Sequence, residues 1–184
     1  KRGERMNEHM INRIFNEECL EGMKRIEDKS IDMILCDLPY GTTRNKWDSI
    51  IPLEPLWKEY ERIIKDNGAI VLTAQTPFDK VLGVSNLKLL KYEWIWDKEV
   101  GTGFLNAKKM PLKSHENILV FYKKKPIYNP QMTNANPKNI RPLTTSEQTS
   151  SNYGKVEKLK ASDGYDVTKR YPKTIIPFSK NEGE

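Results

Sequence analysis

Asp37-Leu38-Pro39-Tyr40 sets three different chemical parts side by side. A carboxylate accepts hydrogen bonds, a proline fixes the backbone, and an aromatic ring offers a face to a planar ligand. The apolar run Ile31-Asp32-Met33-Ile34-Leu35-Cys36 precedes them and Gly41 follows, the pattern of a buried strand that ends in a turn. Ligands of open α/β sheets bind in the crevice beyond the carboxyl ends of the strands. The tetrapeptide is therefore the candidate site. A second feature is basic: seven lysines lie between Lys98 and Lys125, against only Glu99 and Glu116. Lys98, Lys108, Lys109 and Lys113 suit contact with phosphates, because lysine on a loop gives affinity and salt dependence more than sequence choice.

The elements that must hold these residues are legible in outline. Ile14 to Ile26 reads as a strand end and then a helix, with Cys19, Leu20, Met23 and Ile26 on one face. Pro52 to Lys65 has the apolar stripe of a helix, and Asn67-Gly68 is its expected stop. Ala69 to Thr73, Tyr92 to Trp96 and Ile118 to Tyr122 read as strands, and Pro77 to Val84 as a helix. Strands alternating with helices predict an α/β sheet, largely parallel. Asn129 to Lys155 is dense in Asn, Thr, Ser and Pro without a period, which predicts a long loop or a loosely packed subdomain. The expected division is 1–125 and 126–184.

The totals narrow the class. A chain of 184 residues with 37% hydrophobic and 30% charged content is large enough for one domain with a real core. The net charge of +6 fits an anionic partner. No apolar run approaches the ~20 residues of a membrane span. Cys19 and Cys36 form no disulfide framework, which predicts a reducing cytoplasm. His9 and His115 are too isolated for a metal site. Neither cysteine is required as a nucleophile.

The run Asp37 to Asp48 resembles the Asp-Pro-Pro-Tyr motif and following loop of the beta-type, circularly permuted DNA amino-methyltransferases. Asn16 to Met23 is similar to their Gly-Asp-Cys-Leu segment. Trp94-Ile95-Trp96-Asp97-Lys98 and His115 to Phe121 match the spacing of their next two strands. The resemblance covers about Phe15 to Lys125, with Leu38 where the family has proline and Glu18 where it has aspartate. It implies an α/β fold of the class I S-adenosylmethionine-dependent methyltransferases, a Rossmann-like sheet with helices on both faces, permuted. Only Gly101-Thr102-Gly103-Phe104 looks like the family's glycine-rich cofactor turn, and Lys108, Lys109, Met110 and Pro111 do not open a helix after it. That turn is expected nearer the C-terminus than this chain extends, so the domain is expected to be incomplete.

By the same resemblance, S-adenosyl-L-methionine is the cofactor, with Glu18, Cys19 and Asp37 beside it. The catalytic residues are Asp37, Leu38, Pro39 and Tyr40. An exocyclic amine on a base is a poor nucleophile because its lone pair is delocalised into the ring. A carboxylate from Asp37 and the backbone carbonyl of Leu38, each accepting one N–H bond, favour the geometry in which that pair is free. Tyr40 would stack on a base flipped out of double-stranded DNA. The expected product is N6-methyladenine, with N4-methylcytosine the near alternative and a non-catalytic DNA-binding remnant the other. The segment Asn129 to Arg170 takes the position of the family's target-recognition region. Pairing with a restriction enzyme fits this picture, and the oligomeric state is open, a homodimer included.

Overall fold

The computed structural model describes residues 10–140, 148–150, 154–156 and 166–178. Two compact units emerge: Lys1–Ile127 with Thr174–Glu184, and Tyr128–Lys173. In the first unit the order is α1 (Cys19–Met23), β1 (Ile31–Asp37), α2 (Leu53–Ile63), β2 (Ile64–Ala74), α3 (Phe78–Ser85), β3 (Leu90–Thr102) and β4 (Lys113–Phe121). In the second unit β5 (Thr133–Asn134) pairs antiparallel with β8 (Lys169–Arg170), and β6 (Gln148–Ser150) with β7 (Gly154–Val156). Then β9 (Ile175–Pro177) returns to the first unit. The sequence pattern does not show this strand, because three residues are too few for a period.

The main sheet has the order β1-β2-β4-β3-β9. β1 runs parallel to β2 and β3 parallel to β9, whereas β4 is antiparallel to both β2 and β3. The sheet is thus mixed rather than largely parallel. The reason is local: β3 and β4 form a hairpin, which requires no crossover helix.

One continuous core covers one face of this sheet. Ile70, Leu72 and Ala74 of β2 and Leu119 and Phe121 of β4 meet Leu56, Trp57, Tyr60 and Ile63 of α2, Phe78 and Leu82 of α3, and Met23 of α1. Ile34 and Cys36 of β1 pack against the same cluster. The side chains that alternate with them, Met33 and Leu35, are exposed. β1 is therefore buried on one face, not both. The core cluster lies on the face that carries Ile34 and Cys36, and Met33 and Leu35 point away from it.

Helix α2 also ends earlier than its apolar stripe suggests. Ile64 is already extended (φ −73°, ψ 137°), and Asn67-Gly68 lies inside β2. Gly68 is needed there for another reason. A Cβ at that position would sit 2.8 Å from the backbone oxygen of Asp32, so only glycine lets β2 approach β1 where their register shifts.

Candidate active site at the ends of β1 and β2

Asp37 is the last residue of β1, and Thr73 of β2 is its register partner. Parallel pairing therefore delivers a carboxylate and a hydroxyl to the same sheet edge. Three groups converge there. The Tyr40 hydroxyl donates to Asp37 Oδ1 at 2.5 Å, and the Thr73 hydroxyl donates to the same oxygen. The two hydroxyl oxygens lie 3.0 Å apart. Each hydroxyl has one proton, so both are committed to Oδ1. Among the described residues nothing donates to Oδ2, which remains an open acceptor on an exposed side chain.

The neighbours fix this arrangement from below. The Leu38 side chain is buried in the core, so the residue between Asp37 and Pro39 acts as an apolar anchor. The Tyr40 ring stacks on Phe78 of α3, with centroids 5.5 Å apart and planes at 27°. Burial first, and then the bond to Asp37, pushes the Tyr40 phenol pKa well above its ordinary value. Tyr40 is thus a proton donor held in place, with no tendency to ionise.

The following loop is folded around another carboxylate. Asp48 is buried and accepts backbone N–H bonds from Gly41 (2.8 Å), Thr42 (2.9 Å) and Thr43 (2.6 Å). Gly41 adopts φ +67°, which turns its N–H into this nest. Burial alone would raise the Asp48 pKa, but the bonds from Thr43, Gly41 and Thr42 outweigh it and hold the group below its usual range. In the sequence Asp48 and Trp47 are simply the end of the run that follows the motif. The structure separates the two: Asp48 staples the loop, and Trp47 is exposed. The signal for this was weak, a lone aspartate seven residues beyond a glycine.

Glu18 is the N-cap of α1; its Oε2 accepts the Glu21 N–H at 3.0 Å. The Cys19 thiol lies 3.8 Å from the other Glu18 oxygen. Burial, and then the Glu18 charge, raises the Cys19 pKa and disfavours the thiolate. Cys19 and Cys36 both lie near enough to the Tyr60 hydroxyl to perturb it, which links the α1 end to β1. The glycines at 101 and 103 are not a cofactor cradle. A Cβ on Gly101 would meet Leu112 at 2.8 Å, and nothing lies within 4 Å of Gly103. They shape the β3–β4 hairpin, and a three-residue 3-10 turn, Phe104–Asn106, follows them. Among the described residues there is no glycine-rich strand–turn–helix.

The four candidate phosphate-binding lysines separate into two pairs. Lys98 is bonded to Glu116 and lies over the Trp96 ring at 4.7 Å, and Lys113 donates to Gln75. Lys108 and Lys109 are exposed and have no ion pair or side-chain hydrogen bond among the described residues. Much of Asn129 to Arg170 lies outside the described residues, as does His9. Among those described, no cluster of three His, Cys, Asp or Glu side chains could hold a metal ion, and no helix is long and apolar enough to cross a membrane.

Comparison with known proteins gives the family and the fold. The family model N6/N4 methylase, described as DNA methylase, matches residues 31–180, and the chain belongs to that family. The type II methyltransferase M1.MboII of Moraxella bovis is 29% identical over 127 residues, covering 62% of this chain and 47% of that protein. The chain thus spans about half the length of that curated relative. In fold it is similar to the PvuII DNA methyltransferase (cytosine-N4-specific), with a TM-score of 0.53 at 12% identity, covering 91% of this chain and 57% of the other. It also aligns with M1.HpyAVI, solved as a complex with SAM, with a TM-score of 0.47 at 20% identity over 71% of this chain and 62% of the other.

Proposed function

We propose that this chain carries the base-binding and amine-activating part of a DNA methyltransferase that acts on the N6 amine of an adenine flipped out of the duplex. The observation that carries the reading is the divided state of Asp37. Oδ1 is held by the Tyr40 and Thr73 hydroxyls, and Oδ2 is open at the strand end. An amine N–H bonded to Oδ2, with the second N–H on the Leu38 carbonyl, has its nitrogen lone pair turned out of the ring plane. The carboxylate also stabilises the positive charge that grows on nitrogen. One face of the Tyr40 ring is taken by Phe78, and the other is the stacking surface for the base.

S-adenosyl-L-methionine supplies the electrophilic methyl group when bound. Glu18 and Cys19, near the β1 end, are the residues of this chain that would hold its adenosine part. The exposed Lys108 and Lys109 are the better phosphate contacts; Lys98 and Lys113 position other side chains first. A family member with two free cysteines and DNA as substrate belongs in a reducing cytoplasm.

The cytosine-N4 reading uses the same geometry, since that amine presents the same two N–H groups. The test is transfer of labelled methyl to unmethylated DNA, followed by nucleoside analysis. Label is expected in N6-methyladenine, and Asp37→Ala is expected to lose about a hundredfold in rate, the scale of removing one transition-state hydrogen-bond partner. Label in N4-methylcytosine would replace adenine by cytosine. Duplex binding without any transfer would mark a non-catalytic DNA-binding module.

A further inference from the structure

The β3–β4 hairpin extends well past the catalytic edge. Asp37 pairs with Thr73, and Thr73 pairs with Ile118 of β4. Because β4 starts at Lys113, its first residues extend about 17 Å beyond the level of Asp37 at ~3.4 Å per residue. The arm rises from the same edge as Asp37, since β4 runs antiparallel to β2 and its beginning lies beyond the β2 C-terminal end. Lys113, at the outer end of β4, reaches back through its side chain to Gln75, the residue just after β2, which braces the arm against that edge.

The tip is ordered and apolar. Gly103 takes φ +87° and opens the 3-10 turn Phe104–Asn106. Backbone bonds from Asn106 to Gly103 (2.9 Å), Ala107 to Phe104 (3.1 Å) and Lys109 to Asn106 (2.8 Å) close it. Phe104 is 78% exposed and Leu105 83%. Single exposed apolar residues need no explanation, but two adjacent ones at the end of an arm do. The unpaired Lys108 and Lys109 follow them directly. An apolar point with flanking cations is complementary to a nucleic-acid duplex, whose phosphates surround an apolar base stack.

We propose that Phe104 and Leu105 form a wedge that enters the duplex where the target base has left the stack, with Lys108 and Lys109 on the flanking phosphates. This rests on the reading of the chain as acting on a flipped base. Flipping leaves a gap, and apolar side chains inserted at a base step offset the lost stacking. The reach of about 17 Å exceeds the depth of a groove, about 8.5 Å, so an arm that leaves the sheet two strands from Asp37 is long enough to pass from the catalytic edge to the stack.

The test uses the whole chain and a mixed-sequence DNA duplex, intact or with one abasic site, which supplies the gap without the cost of flipping. The chain is expected to bind the abasic duplex about tenfold more tightly than the intact one, the scale of one aromatic–base stack. The double variant Phe104→Ala/Leu105→Ala is expected to lose that preference while its affinity for intact duplex is unchanged. Lys108→Ala/Lys109→Ala should weaken both duplexes equally and lower the salt slope by about 2. An abasic preference that survives Phe104→Ala/Leu105→Ala, or none in the unaltered chain, overturns the wedge while the functional reading stands. Absence of binding to any duplex overturns both. Sedimentation decides the remaining case: a self-associated chain made monomeric by Phe104→Ala/Leu105→Ala would assign the tip to a contact between copies, and the wedge would fall.

Discussion

β1 and β2 lie side by side in parallel register, and their apolar runs Met33–Cys36 and Ala69–Leu72 pair residue for residue. Their environments differ sharply. Leu72 of β2 is 0% exposed, whereas Met33 and Leu35 of β1 are 52% and 68% exposed. β2 has a strand on either side and helices against it; β1 has one neighbour and one covered face. Burial therefore depends on what covers each face of a strand, and the apolar run only makes such cover possible. The same contrast holds at the strand ends. Thr73 of β2 is a support, and Asp37 of β1, at the open side, is the group with an unused acceptor.

The largest effect should come from the covered strand. Leu72→Ala is expected to cost about 2–5 kcal/mol in urea unfolding, because it leaves a cavity among packed neighbours. A much smaller loss would break the contrast. The next effect is functional. Thr73→Val removes one charge-assisted bond to Asp37 and should cut methyl transfer about tenfold, with Thr73→Ser restoring it. Full activity in the valine variant would show that β2 does not hold the carboxylate.

pH acts on stability through two groups of opposite sign. Burial, followed by its neighbour Cys36, raises the Tyr60 phenol pKa on the covered side of β1. A raised folded value means that the folded state keeps its proton longer. Stability is then full below the ordinary phenol value of about 10 and falls as pH rises through the folded value. Tyr60→Phe should flatten this alkaline limb. Asp48 has the opposite sign. Its lowered value contributes stability above about pH 3.9, lost as pH falls through the folded value. Asp48→Asn should move the acid limb, read by circular dichroism against pH. The smallest effect belongs to the uncovered face: Leu35→Ala should change unfolding free energy by no more than about 0.5 kcal/mol. A core-sized loss there would mean that Leu35 is covered in solution.

The candidate catalytic corner was legible because its parts are contiguous: Asp37, Pro39 and Tyr40 carry their chemistry in their own side chains. What Leu38 does was not, since an apolar residue in a motif does not show whether it faces the core. Asp48 escaped for a related reason. Its partners are three backbone N–H groups, which every sequence has, and only the fold brings them together. The lysines show the same limit. Lys98, Lys108, Lys109 and Lys113 look alike in a charge count, yet two are paired and two are open. The β3–β4 hairpin made the sheet mixed where alternating strands and helices suggested parallel order. β9 was invisible because Ile175 and Ile176 acquire meaning only from Ile95 and Trp96, far upstream.

That late strand has a consequence for how such a chain can vary. The path leaves the first unit after Ile127 and returns at Thr174, where its carbonyl accepts the Ile95 N–H at 2.8 Å; Phe178 then donates to Asp97 at 3.0 Å. Both ends of the second unit are thus attached to one framework. A stretch attached in this way can be lengthened, shortened or rewritten with the registers of the main sheet left as they are. The second unit is in this sense a cassette, and changes within it need not disturb the strand ends that carry Asp37 and Thr73.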